Sequence, residues 1–189
     1  IIKFYGITQD PNNFNYILVF KLQDNDLRYF LNNYYYSNQI KNKYIENICL
    51  GLVNIHKNGL IHKDLHIGNI LCLNWTSTCI SDLGFCKPVN ETSSQSSIYG
   101  VIPYMAPEIL RGEEYTQASD IYSLGIIINE IISTIPPFYN QSHDFYLALD
   151  ICHGLRPKIC EQTPDFLKEL IQQCWDANPK NRPTSETIL

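Results

Sequence analysis

Long hydrophobic runs are missing from this chain. Its longest apolar stretch, Leu124 to Ile128, falls far short of the roughly 20 residues a helix needs to cross a bilayer. No leader-type apolar segment opens the sequence. Charge is scarce as well. Only 17% of the 189 residues are Asp, Glu, Lys or Arg, with 14 basic against 19 acidic, for a formal net charge of -5. That balance, without any basic stripe, excludes a nucleic-acid footprint. The seven cysteines contain no C-x-x-C pair and lie mostly in apolar runs such as Ile48-Cys49-Leu50. An odd number of thiols in such surroundings reads as free cysteine in a reducing, cytoplasmic setting. His56, His66, His143 and His153 complete no metal-ligand set with them, so no zinc site is expected. Internal repeats and linkers are lacking, which leaves one domain. An initiator methionine is lacking too. The chain opens on Ile1-Ile2-Lys3-Phe4-Tyr5 and stops at Thr187-Ile188-Leu189 inside an amphipathic stretch, so both ends read as cuts.

What is present is patterned. Tyr16 to Leu22 is an apolar and aromatic run between turn-forming clusters, the mark of a strand, with a weaker strand before it at Ile2 to Ile7. Asp26 is placed to cap a short helix from Leu27 to about Asn33. Ile40, Tyr44, Ile48, Leu52 and Ile55 recur at helical spacing and predict a long helix that stops at Asn58-Gly59. Leu60 to Leu73 reads as strand, tight loop, strand, and Cys79 to Ser81 as another short strand. Residues 82–108 form a long irregular connection. Ser119 or Asp120 then opens an almost wholly apolar, buried helix that ends before Pro136-Pro137. Further helices are expected from Ser142 to about Cys152 and from Pro164 to Trp175, with a last one starting at Ser185.

Five ordered motifs give the chain its family resemblance. His62-Lys63-Asp64-Leu65-His66-Ile67-Gly68-Asn69 resembles the catalytic loop of eukaryotic protein kinases. Asp82-Leu83-Gly84 stands where that family has D-F-G, and Ala106-Pro107-Glu108 matches the end of its activation segment. Asp120-Ile121-Tyr122-Ser123-Leu124-Gly125 is similar to the central-helix motif. Cys174-Trp175-Asp176 followed by Pro179, Arg182 and Pro183 is similar to a late run found in tyrosine kinases and their serine/threonine relatives. The resemblance covers essentially the whole chain and implies an α+β protein-kinase-like fold. Residues 1–22 would be the remnant of the small lobe and hinge, and 23–189 the mainly helical large lobe with its final helix incomplete.

The resemblance also implies roles. Asp64 would accept the proton of the substrate hydroxyl, and Asn69 and Asp82 would hold magnesium, a hard cation that takes oxygen ligands. Phe20 would be the gatekeeper beside the adenine of ATP, Lys21 and Leu22 would offer backbone groups to its edge, and Leu71 would pack against the base. His62 would be a packed core histidine. Asp120 would anchor the catalytic-loop backbone, and Glu108 would pair with Arg182. Thr92, Ser93, Ser94, Ser96 and Ser97 crowd the activation segment and are candidate phosphorylation sites, with Lys63 as a receiving cation. The expected partner is a protein substrate bearing a Ser or Thr hydroxyl. No nucleic acid or membrane segment is expected.

Departures from the family pattern matter. The glycine-rich loop, the phosphate-gripping lysine and the regulatory-helix glutamate are not in the sequence, and a missing N-terminal lobe in the parent chain would carry them. Taken alone, the fragment is expected to be inactive. Lys63 replaces an arginine, His66 replaces the lysine of serine/threonine kinases, and Val101 replaces a threonine that bonds the catalytic aspartate. The alternative reading is a pseudokinase acting as a protein-binding or scaffold module.

Overall fold

The computed structural model describes residues 1–34, 36–73, 77–89 and 100–189. The chain begins with two antiparallel strands, β1 (Phe4–Gln9) and β2 (Tyr16–Phe20). Phe4 faces Phe20 across the pair, their rings 5.3 Å apart. This ribbon is poorly covered: every residue of β2 is exposed. A backbone bond ties its base to Ile80, with Ile2 N–H donating to Ile80 O at 2.8 Å, and Lys21 N–H to Lys3 O at 2.8 Å extends the pairing of its two arms.

A short strand β3 (Asn25–Asp26) runs straight into helix α1 (Leu27–Asn33). Asp26 serves both elements. Its backbone pairs with Leu71 and its carboxylate accepts from Tyr29 N–H at 2.7 Å, satisfying one of the unpaired donors of the first turn. Helix α2 (Asn38–Lys57) follows; of the residues at helical spacing that predicted it, Tyr44, Ile48, Leu52 and Ile55 are buried and Ile40 is half-buried. It stops at Gly59, whose φ of +68° is one that a glycine adopts without strain. Strand β4 (Leu60–Ile61) pairs with β7 (Lys87–Pro88). Strands β5 (Ile70–Leu73) and β6 (Ser77–Ile80) form a hairpin with β3 on its outer edge, in the order β3-β5-β6.

The remaining elements are helical: α3 (Pro107–Leu110), α4 (Gln117–Ser133), α5 (Phe145–Cys152), α6 (Asp165–Cys174) and α7 (Ser185–Ile188). Helix α4 is the axis of the core, buried continuously from Ser119 to Ile131. Burying each of its Leu and Ile side chains contributes about 1.5–3 kcal/mol. Gly125 lets α6 come close. A Cβ built there would lie 2.7 Å from Cβ of Cys174. Among the described residues no helix is long and apolar enough to cross a membrane.

Two helix starts differ from the sequence expectation by more than one residue. Helix α4 opens at Gln117, because Thr116 and Ser119 form a reciprocal capping box. Helix α5 opens at Phe145 and not at Ser142, because Asp144 accepts from Tyr146 N–H at 2.9 Å.

Candidate active site

The segment from His62 to Asn69 has little regular structure and is fixed from outside. Asp120, 2% exposed on α4, accepts from His62 N–H at 2.8 Å and from Lys63 N–H at 3.0 Å. These bonds help hold Lys63 at φ +72°, a left-handed conformation a non-glycine residue takes only when its surroundings demand it. The same carboxylate meets Nε2 of His56 at 2.9 Å, and Nδ1 of that ring meets Oγ of Ser185 at 3.1 Å. A buried anion with three polar partners is how a carboxylate is tolerated in a core.

His62 is wholly buried. Its Nδ1 accepts from Asp64 N–H at 3.3 Å, which makes Nε2 the protonated nitrogen that donates to Ser81 O at 3.0 Å. Ser81 in turn donates to Asn69 O through both N–H and Oγ, each at 2.9 Å. One bonded frame thus joins the loop carrying Asp64 and Asn69 to the strand end that presents Asp82. Asp82 itself is exposed, at φ 54°, with Oδ1 accepting weakly from Gly84 N–H at 3.4 Å.

The donor chemistry suits a hard cation. Asn69 turns its Nδ2 onto Asp64, to the backbone O at 2.9 Å and to Oδ2 at 3.2 Å, which leaves the amide Oδ1 as the outward-available ligand atom. That amide oxygen and the Asp82 carboxylate are both donors of the kind magnesium takes together with phosphate. Asp64 sits below the ordinary carboxylate range, first because of His66 beside it, with burial pulling the other way. It is therefore an ionised acceptor at neutral pH. Gly100 passes its Oδ1, and Val101 lines the same narrow depression without a hydroxyl to offer.

Phe20, Lys21, Leu22 and Leu71 come together around a shallow cavity of about 390 Å³, joined by Gln23, Asn25, Asp26 and Gly68. Lys21 has already used its N–H on Lys3, and its carbonyl accepts from Gln23 Nε2 at 3.2 Å, with a second lone pair open. Glu108 and Arg182 are both buried and joined by two bonds, at 2.6 and 2.8 Å. Lys63 points its Nζ over the Tyr115 ring, 5.0 Å from the centroid. Thr92, Ser93, Ser94, Ser96 and Ser97 lie outside the described residues.

The protein kinase domain profile matches residues 1–189. The chain belongs to the protein kinase family. Relatives agree. A Dictyostelium discoideum protein named "Probable serine/threonine-protein kinase" is 32% identical over 148 residues, covering 78% of this chain and 9% of its own length. A second protein of that organism with the same description aligns over all of this chain at 28% identity, covering 30% of its own length. A dual specificity protein kinase, also of that organism, is 33% identical over 162 residues, covering 78% of this chain and 20% of its own length. The kinase chain described here thus spans less than a third of these relatives.

One buried polar cluster escaped the sequence reading. Glu130, on α4, accepts from the Tyr104 hydroxyl at 2.5 Å, and Tyr104 accepts from Arg28 at 2.6 Å. Burial pushes Glu130 up to about 7, with the Tyr104 bond and Arg28 acting against it. An acidic residue beside Asn129, between the isoleucine runs Ile126 to Ile128 and Ile131-Ile132, was the available signal.

Proposed function

We propose that this chain is the catalytic large-lobe portion of an ATP-dependent protein kinase that phosphorylates serine or threonine hydroxyls of protein substrates. The observation that carries the reading is the shared frame of Asp64, Asn69 and Asp82. An acceptor carboxylate and two oxygen ligands are fixed to one another through His62, Ser81 and Asp120. A scaffold module has no need of all three.

In the transfer, the substrate hydroxyl oxygen bonds to the γ-phosphorus while the bond to the leaving ADP oxygen breaks. Asp64 holds that hydroxyl in line and takes its proton. Asn69 and Asp82 would hold magnesium, which neutralises phosphate charge when bound. Phe20 and Leu71 wall the adenine position, and Leu22 and the open side of the Lys21 carbonyl face the base edge. Residues 1–22 belong to the small lobe and hinge and 23–189 to the large lobe. The family's glycine-rich loop and phosphate-gripping lysine belong to the parent protein outside these residues. The free thiols suit a cytoplasmic protein.

The test is transfer of radiolabelled phosphate from Mg-ATP to a degenerate serine/threonine peptide mixture by the full-length protein. Asp64→Asn should lower kcat by roughly 10²–10⁴-fold. Unchanged turnover in that variant would sink the reading.

A further inference from the structure

The catalytic loop carries a histidine the mechanism above does not use. His66 caps the single tight turn Ile67–Asn69, with Nδ1 accepting from Gly68 N–H at 3.1 Å. That bond decides the tautomer. A neutral ring that accepts at Nδ1 must carry its proton on Nε2. Gly68 does more than donate. A Cβ at residue 68 would stand 3.0 Å from His66 Cε1 and 3.1 Å from Nδ1, so the glycine is what lets the ring lie against the turn. The Nε2 so protonated stands 3.6 Å from Oδ2 of Asp64, with both side chains largely shielded, at 19% and 16% exposure.

The two oxygens of Asp64 are therefore unequal. Oδ2 has Asn69 Nδ2 at 3.2 Å on one side and His66 Nε2 on the other. Oδ1 lies toward Gly100 with no donor upon it among the described residues. The side chain of Val101, which shares that depression, has no donor to supply. We propose that His66 is a positioning residue: a neutral imidazole, locked as its Nε2–H form by Gly68, that fixes Oδ2 of Asp64 and leaves Oδ1 to receive the substrate proton. At 3.6 Å the contact is longer than an ordinary hydrogen bond. Catalytic hydrogen bonds commonly tighten only in the reacting complex. The inference rests on the kinase reading of Asp64.

The geometry separates two substitutions. Asparagine places an acceptor where Nδ1 is, keeping the Gly68 bond while losing the donor. Glutamine places an N–H where Nε2 is, keeping the donor while losing the cap. In the full-length protein, His66→Asn should melt like the parent, keep its KM for ATP and lose about 3- to 10-fold in kcat, the worth of one hydrogen bond. His66→Gln should melt lower yet keep kcat within about twofold, given that same scale. A purely structural histidine would give the opposite order, the asparagine variant active and the glutamine variant impaired, and that order overturns the proposal. Asp64→Asn, measured alongside, distinguishes the two levels. If it leaves transfer intact, the kinase reading of Asp64 has failed. If it abolishes transfer while His66→Asn equals the parent, only the role of His66 has failed.

Discussion

Arg182 grips Glu108 with both terminal nitrogens of its guanidinium, and the Arg182 side chain has no solvent exposure at all. Two of its three remaining donors are also used, Nε on Asp176 O at 2.9 Å and Nη1 on Ala118 O at 2.9 Å. The planar head lies 5.2 Å from the centre of the Tyr122 ring. A single late residue of the sequence, Arg182, thereby fastens α3 and α4 together.

Breaking this pair strands a buried charge. Glu108→Ala or Arg182→Ala should each cost about 3–5 kcal/mol. Arg182→Lys should cost nearly as much, because lysine has one charged nitrogen and no fork. Urea denaturation of the full-length protein measures this. A loss under ~1 kcal/mol, the range of exposed pairs, would show the pair to be solvated.

Glu130 makes stability depend on pH. Its folded value of about 7 stands above the ordinary 4.5, so between those limits the folded state keeps a proton the unfolded chain has released. Folding stability from this group is thus greatest at low pH and falls as pH rises through that window. Glu130→Gln should flatten the corresponding part of a plot of Tm against pH. An unchanged slope between pH 4.5 and 7 would mean that Glu130 binds its proton alike in the folded and unfolded chain.

Close approach at Gly125 gives a third expectation. Gly125→Ala forces α4 and α6 apart and should destabilise the fold by ~1–3 kcal/mol. Cys174→Ala should not rescue it, since the opposing atom is the Cβ itself. Cys174→Gly in the same background should recover part of the loss. Thermal melts of the single and double variants decide the matter.

The β1–β2 ribbon predicts behaviour in solution. Ile7 is 63% exposed, Tyr16 78% and Leu18 55%, on a two-stranded sheet whose edges carry unpaired backbone groups. Residues 1–189 expressed alone should self-associate at micromolar concentration. Replacing Ile7, Tyr16 and Leu18 with Lys, Glu and Lys should shift the chain toward monomer. Sedimentation velocity would read the change, and a monomeric parent chain would contradict the expectation.

Local signals were the legible ones. Asp26 before Leu27, and Asn58-Gly59 after the period of α2, act on backbone groups within a turn, so spacing alone revealed them. The start of α4, expected at Ser119 or Asp120, was misplaced by two or three residues because Ser119 is the inner member of a capping box and Asp120 is no cap. Its carboxylate is spent on the catalytic loop. Arg28, Tyr104 and Glu130 were invisible for a different reason. The first two bond across 76 residues and the last two across 26, and no local pattern encodes such meetings. The tautomers of His62 and His66 likewise depend on which backbone N–H each ring faces.

Asp120 also sets an order of assembly. Its two loop bonds span 58 and 57 residues, and they end on amides that no strand or helix would otherwise protect. The amide protons of His62 and Lys63 should therefore exchange with solvent deuterium as slowly as core helix positions, despite lying in a loop. Since the carboxylate reaches them only from a docked α4, this loop can become native only after the central helix has found its place.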